Sequence, residues 1–144
     1  MKTLIFYHLF YYLLRRFLNL MIQPLTLLTV ADNSGASIVQ CIKVLGRSGR
    51  SSGFIGDFIV VSVKSLKTKG NIKVKKKEIC LGLIVRQRSK KKCRDGRIFN
   101  FNDNSVILFN RNYKPFGTRV FGPIPIGLRG FRNFKVILTA TQFV

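Results

Sequence analysis

From residue 21 onward, no uninterrupted apolar run in this chain is longer than a strand, and turn-forming residues separate the runs. The segments LTLLTVA (25–31), ASIVQCIKVLG (36–46), DFIVVSVKSL (57–66), EICLGLIVRQR (78–88), GRIFNF (96–101) and SVILFN (105–110) are rich in β-branched and aromatic residues. Between them stand DNSG (32–35), the Gly/Ser/Arg loop RSGRSSGFIG (47–56), Gly70–Asn71, Asp95–Gly96 and NDN (102–104). Strict alternation in the second run places Ile38, Gln40, Ile42 and Val44 on one face, with Val39, Cys41, Lys43 and Leu45 on the other. Five or six strands at spacings near ten residues, with almost no helical periodicity, predict a small closed β-barrel. Closure also removes exposed sheet edges. After Pro115 the texture changes: Pro115, Pro123 and Pro125 punctuate it, and one or two short helices fit between Ile126 and Leu138. No repeat or linker divides residues 21–144, so they read as one domain. A chain of 144 residues buries roughly two thirds of its unfolded surface.

Charge then narrows what such a barrel is for. The chain carries 26 Lys and Arg against 5 Asp and Glu, a net of +21 at pH 7. Three of those cations (Lys2, Arg15, Arg16) lie in the first twenty residues, which leaves 23 against all five acids, a net of +18. Five acids cannot make a mixed-sign surface, so a free globule repels itself and attracts a polyanion. The densest run is RQRSKKKCRDGR (86–97), where seven cations accompany one acid, Asp95. The cations concentrate in three connections. The first holds Arg47 and Arg50, next to Lys43; the second runs from Lys64 to Lys77 and includes Lys67, Lys69 and Lys73. The third holds Arg86, Arg88, Lys90, Lys91, Lys92, Arg94 and Arg97. Cations on phosphates release counterions and give affinity without sequence information. Eight such contacts predict a slope of log affinity against log salt of roughly −6 to −7. Phe54, Phe99, Phe101, Tyr113 and Phe116 are candidates for base stacking, with core packing the safer assignment for most of them.

Catalytic chemistry is hard to build here. The single histidine, His8, lies in the first twenty residues, so the barrel lacks a Ser-His-Asp or Cys-His site. Asp32, Asp57, Glu78, Asp95 and Asp103 stand singly beside turns, where carboxylates commonly accept backbone N–H groups. Cys41, Cys80 and Cys93 form no CxxC pair; neither a zinc site nor a cofactor motif is expected, and the odd count fits a reducing compartment. Cys41 and Cys80 read as core residues and Cys93 as a loop thiol.

Residues 1–20, MKTLIFYHLFYYLLRRFLNL, differ from the remainder: they are apolar, aromatic and free of acids. The stretch Leu4–Leu14 is shorter than the ~20 residues that span a bilayer. His8, Tyr12, Arg15 and Asn19 recur at helical spacing, so a helix here carries a polar stripe. A secretory signal, a mitochondrial transit peptide and an added helix docked on a partner protein or RNA are the alternatives. The last is preferred, and no stable membrane insertion is expected.

The strings VADNSGA (30–36), CIKVLG (41–46), Gly56–Asp57 and PFGTRVFGP (115–123) together resemble the universal large-subunit ribosomal protein L-fourteen family. GLIV (82–85), Asp95–Gly96, Phe101, Asn104 and Val106–Ile107 stand in the order of that family's signature, and Met21-Ile22-Gln23 looks like its usual first residues. The resemblance covers about residues 21–144. It implies a five-stranded β-barrel with a C-terminal helical part, no enzymatic activity, and a structural role in the large subunit. The basic positions named above would lie on large-subunit rRNA. The opposite face, with Thr118, Arg119 and Lys135, would face small-subunit rRNA across an intersubunit bridge, or a ribosome-silencing factor. A neighbouring protein of the L-nineteen family would pair through an extended sheet. The chain departs from bacterial members at IPIGLRG (124–130), where they have a charged helix start. Abundant Phe, Ile, Asn and Lys, with Ala only at 31, 36 and 140, together with residues 1–20, point to a mitochondrial ribosome; a plastid or AT-rich bacterial origin is the alternative. The rival to a ribosomal role is a free nucleic-acid-binding barrel.

Overall fold

Alternating apolar and polar residues give strands that each bury one side, and the sequence supplies enough of them to close a ring. The computed structural model describes residues 21–46, 52–68, 70–92, 96, 98–130 and 140–144. The helix expected over residues 1–20 lies outside the described residues. Strands β1 (Leu27–Val30), β2 (Ala36–Val44), β3 (Phe58–Leu66) and β4 (Ile79–Arg86) follow one another as antiparallel neighbours. Two residues each of β5 (Lys91–Lys92) and β6 (Ile98–Phe99) come next, then β7 (Ser105–Phe109). The ring order is β1-β2-β3-β4-β7, and a short parallel pairing of β1 with β7 (Thr29 opposite Ser105, Val30 opposite Val106) closes it.

A ring of five strands is narrow enough for side chains to fill. Val39, Ile59, Val61, Val63, Leu83, Ile84, Val106 and Leu108 are fully buried, and all five residues of β7 are inaccessible. Truncating one of the large members, such as Ile84, to alanine costs about 2–5 kcal/mol. Val74, set in the lysine run KVKKK, is also buried and plugs the core from the β3–β4 connection. Burial also explains the two cysteines of the barrel. Desolvation pushes the Cys41 thiol up to about 11 and, with help from Glu78 and Asp32, the Cys80 thiol up to about 12.

The structure departs from the sequence-based expectation in three places. In β2 the pairing slips between Cys41 and Lys43, so Val39, Cys41 and Val44 are buried while Lys43 faces solvent. The extra residue of this bulge turns a lysine out of an apolar interior, where its charge would be costly. The segment 96–101 is not a stave of the barrel. Ile98–Phe99 instead pairs with Lys91–Lys92 in a separate ribbon, and β4 lies directly against the wholly buried β7. Past Pro115, the chain forms β8 (Val120–Ile124), a 3-10 helix (Ile126–Gly130) and β9 (Ala140–Phe143), with β8 and β9 parallel. The 3-10 helix occupies the start of the helical region expected from sequence; residues 131–139 lie outside the described residues.

Candidate nucleic-acid interface

The DNSG turn between β1 and β2 organises one corner of the molecule. Asp32 is fully buried; its Oδ1 accepts the Ser34 N–H at 2.8 Å, and its Oδ2 accepts the Leu108 N–H at 2.8 Å. Asn33 reaches across to the GTR segment: its Oδ1 accepts the N–H groups of Thr118 (2.8 Å) and Arg119 (3.2 Å), and its Nδ2 donates to the Thr118 hydroxyl (3.0 Å). Gly117 is required at this crossing, because a Cβ there would stand 2.7 Å from Asp32 Cβ. The two strings that carried the resemblance, VADNSGA and GTRVFGP, thus hold each other in register across about 85 residues of chain.

The β3–β4 connection wraps the same corner. The N–H groups of Lys67 and Lys73 donate to the Gly35 and Ser34 carbonyls, each at 2.8 Å. Lys67 Nζ donates to Asp32 O at 3.3 Å and lies 5.6 Å from the centre of the Phe121 ring. Lys73 Nζ donates to Phe116 O at 2.9 Å. Two lysines expected among the rRNA contacts therefore gather with Thr118 and Arg119, which were expected on the opposite face. Both of those residues are exposed.

A second basic surface leaves the far end of β4. Arg88, Lys90 and Lys92 are exposed there, and Lys91 and Lys92 enter the β5–β6 ribbon. Loop 102–104 steers Arg88: its N–H donates to Asn104 Oδ1 at 2.8 Å and its Nε to Asn102 O at 2.6 Å. Lys43 and Lys64 stand exposed on β2 and β3. Arg47, Arg50, Lys69, Arg94, Arg97 and Lys135 lie outside the described residues.

Arg86 differs from its neighbours. Its guanidinium binds Asp103 through Nε (3.0 and 3.2 Å) and Nη2 (2.9 Å), and Nη1 donates to Phe121 O at 2.8 Å. The side chain is only 11% exposed. Burial alone would raise the Asp103 carboxyl, but hydrogen bonds from Arg86, Ser105 and Thr29, with the Arg86 charge, outweigh it and hold the group below its ordinary range. This cation is neutralised inside the fold and ties β8 to the barrel. Gly122 packs on it: with φ at +84°, a Cβ there would meet Nη1 at 2.5 Å. From sequence alone Arg86 reads as a phosphate contact, because nothing local distinguishes it from Arg88; Asp103, seventeen residues on, does.

Asp57 and Glu78 serve turns, as their positions predict, while Asp95 lies outside the described residues. Asp57 Oδ2 accepts the Phe54 N–H (2.9 Å) and Glu78 Oε2 the Lys75 N–H (2.7 Å). Among the candidate stacking residues, Phe101 and Phe116 pack against the core, while Tyr113 is exposed and meets Phe58 edge-on at 5.2 Å. Among the described residues no three His, Cys, Asp or Glu side chains gather closely enough to hold a metal ion.

A closed β-barrel, a turn locked to a GTR segment and an outer surface with exposed cations stand together in this chain. The family model for ribosomal protein L14p/L23e matches residues 21–144, and the chain belongs to that family, whose members are structural, non-enzymatic constituents of the large ribosomal subunit.

Proposed function

We propose that the chain binds large-subunit rRNA through Arg88, Lys90, Lys92 and the other cations of residues 88–97, with Lys43 and Lys64 adding contacts on the barrel wall. The observation that carries this reading is a contrast: Asp103 neutralises Arg86, whereas Arg88, Lys90 and Lys92 just beyond it are exposed. An RNA backbone supplies the missing counter-charge. Arginine contributes forks and planes suited to phosphates and to unstacked bases.

The corner built from Asn33, Thr118, Arg119, Lys67 and Lys73 is the face we assign to the intersubunit bridge, with small-subunit rRNA as its partner. Its backbone is fixed by Asn33 before any partner arrives, so ordering Arg119 there costs little. Lys67 and Lys73 move from the large-subunit set to this one. The same corner would receive a ribosome-silencing factor, and the β8–β9 pair offers the sheet to which a protein of the L-nineteen family would add. The acid-free residues 1–20 and the compositional bias support a mitochondrial ribosome.

Sedimentation tests the central reading. After a moderate-salt wash the protein stays with large-subunit particles; a free nucleic-acid binder would move to light fractions. Arg119→Ala is expected to leave large-subunit incorporation intact while reducing subunit joining, read from the ratio of joined to free particles in a gradient. Loss of incorporation with normal joining would contradict the bridge assignment.

A further inference from the structure

The outer face of the β1–β2 hairpin is apolar where a free barrel would be polar. Leu25 is 75% exposed, Leu27 58%, Ile42 44% and Ile38 38%. They share one face: Leu27 stands opposite Gln40, Thr29 opposite Ile38, and the Leu25 N–H donates to Cys41 O at 2.7 Å, beside Ile42. Leu28, between them, points inward and is buried. Leu25 also adopts a positive φ of 73°, which an apolar branched residue rarely accepts, and so holds its side chain out of the barrel. The patch borders a groove that also takes in Thr29, Asp103 and Asn104. Four exposed apolar side chains on one face, set around Gln40 and Thr29, mark an interaction site. Arg88 lines the same groove, so the patch adjoins the surface assigned to rRNA, and its own side chains offer phosphate little.

We infer that residues 1–20 of this same chain cover the patch, lying across the β1–β2 hairpin with their apolar side inward. The point of attachment favours it. Ile22 is fully buried and bridged to Gly53, whose N–H donates to Ile22 O at 2.6 Å, so the chain is anchored at the next residue after Met21. A tight turn, with the Thr26 N–H donating to Gln23 O at 3.1 Å, then carries it directly to Leu25. The segment therefore begins beside the patch. Its length also suffices: twenty residues in a helix reach about 30 Å, against about 13 Å for four residues of strand. Composition supplies the complement. The spacing that puts His8, Tyr12, Arg15 and Asn19 on one side of a helix puts Phe6, Phe10, Leu13 and Phe17 on the other. Two apolar surfaces joined at Met21 meet at high effective concentration, without the entropy cost of recruiting a separate molecule.

A photocrosslink in the full-length chain, bound in large-subunit particles, tests this. A benzophenone side chain placed at Leu27, and separately at Ile38, is irradiated and the adducts are mapped by peptide mass spectrometry. Both positions lie on the surface, so the probe leaves the barrel intact. The expected adduct joins each site to a peptide from residues 1–20 of the same chain, and Phe10→Asp with Leu13→Asp lowers its yield about tenfold or more. Adducts to another protein, to RNA or to lipid would overturn the inference. So would a probe quenched only by water, or an intrachain adduct indifferent to the two aspartates.

Discussion

Arg86 and Arg88 stand two residues apart at the end of one strand and serve opposite purposes. The first lies under β8 with its charge balanced by Asp103 and its remaining donor on a backbone carbonyl. The second is exposed and aimed by Asn102 and Asn104, and Lys90 and Lys92 just beyond it are exposed as well. The difference teaches where this fold ends and its partner begins. On the proposed reading, a cation that the polypeptide answers contributes to stability, and an exposed one contributes to rRNA binding. Removing each should therefore disturb a different measurement.

The largest effect belongs to the unanswered side. Arg88→Glu, Lys90→Glu and Lys92→Glu together should lower affinity for large-subunit RNA about a hundredfold at 0.15 M salt, since each lost phosphate contact carries ~0.7–0.9 units of salt slope. Thermal stability of the same variant should stay within about 0.5 kcal/mol, because exposed substitutions away from packed features are nearly neutral. Arg86→Ala reverses the pattern. It leaves Asp103 partly buried without its cation and frees Phe121 O, at a cost of about 1–3 kcal/mol once the 39% exposure of Asp103 is allowed for. Denaturant unfolding reads that loss, while RNA affinity of the folded fraction changes little.

Gly122→Ala sharpens the comparison further. The new Cβ collides with Arg86 Nη1 and takes a positive φ, so about 1–2 kcal/mol of stability is lost. In an Arg86→Ala background the collision disappears and only the backbone strain remains, so the two losses add to less than their sum. Acid titration shows the smallest effect. A carboxyl depressed in the fold stabilises it above the unfolded pKa, about 3.9. That contribution fades as pH falls through the lower folded value, so wild type loses stability below about pH 4 and Asp103→Asn shows a flatter fall in that window.

Much of the barrel was legible in the sequence because β1 and β3 obey period two, β7 is a short buried run, and the turns carry Asp, Asn and Gly. Local pattern failed where a long-range contact decided the matter. The bulge between Cys41 and Lys43 follows from how β2 meets β3, and no count along β2 alone reveals that Lys43 turns outward. GRIFNF reads as well as any stave, yet the ring closes through β7 because five consecutive buried residues fill it better than a segment with Ile98 exposed. The β8–β9 pair joins segments separated by the 3-10 helix, and prolines at 123 and 125 hid it.

The interface was legible as charge and illegible as geometry. Lys67 and Lys73 belong to a basic run, but the DNSG turn carries them to the GTR corner. Asn33, which fixes that corner, resembled an ordinary turn residue; its only signal was its place in a string that recurs with GTRVFGP in the family. Val74 shows the converse, one apolar residue among lysines whose burial anchors the basic connection.

The most direct test of this division of labour is the salt dependence of binding to large-subunit rRNA, compared between wild type, Arg86→Ala and the Arg88/Lys90/Lys92 charge reversal. The triple variant should flatten the slope of log affinity against log salt by roughly 2–3, one lost contact per cation removed, while Arg86→Ala should leave it unchanged. Equal slopes for the triple variant and wild type, or an equal flattening by Arg86→Ala, would contradict the account.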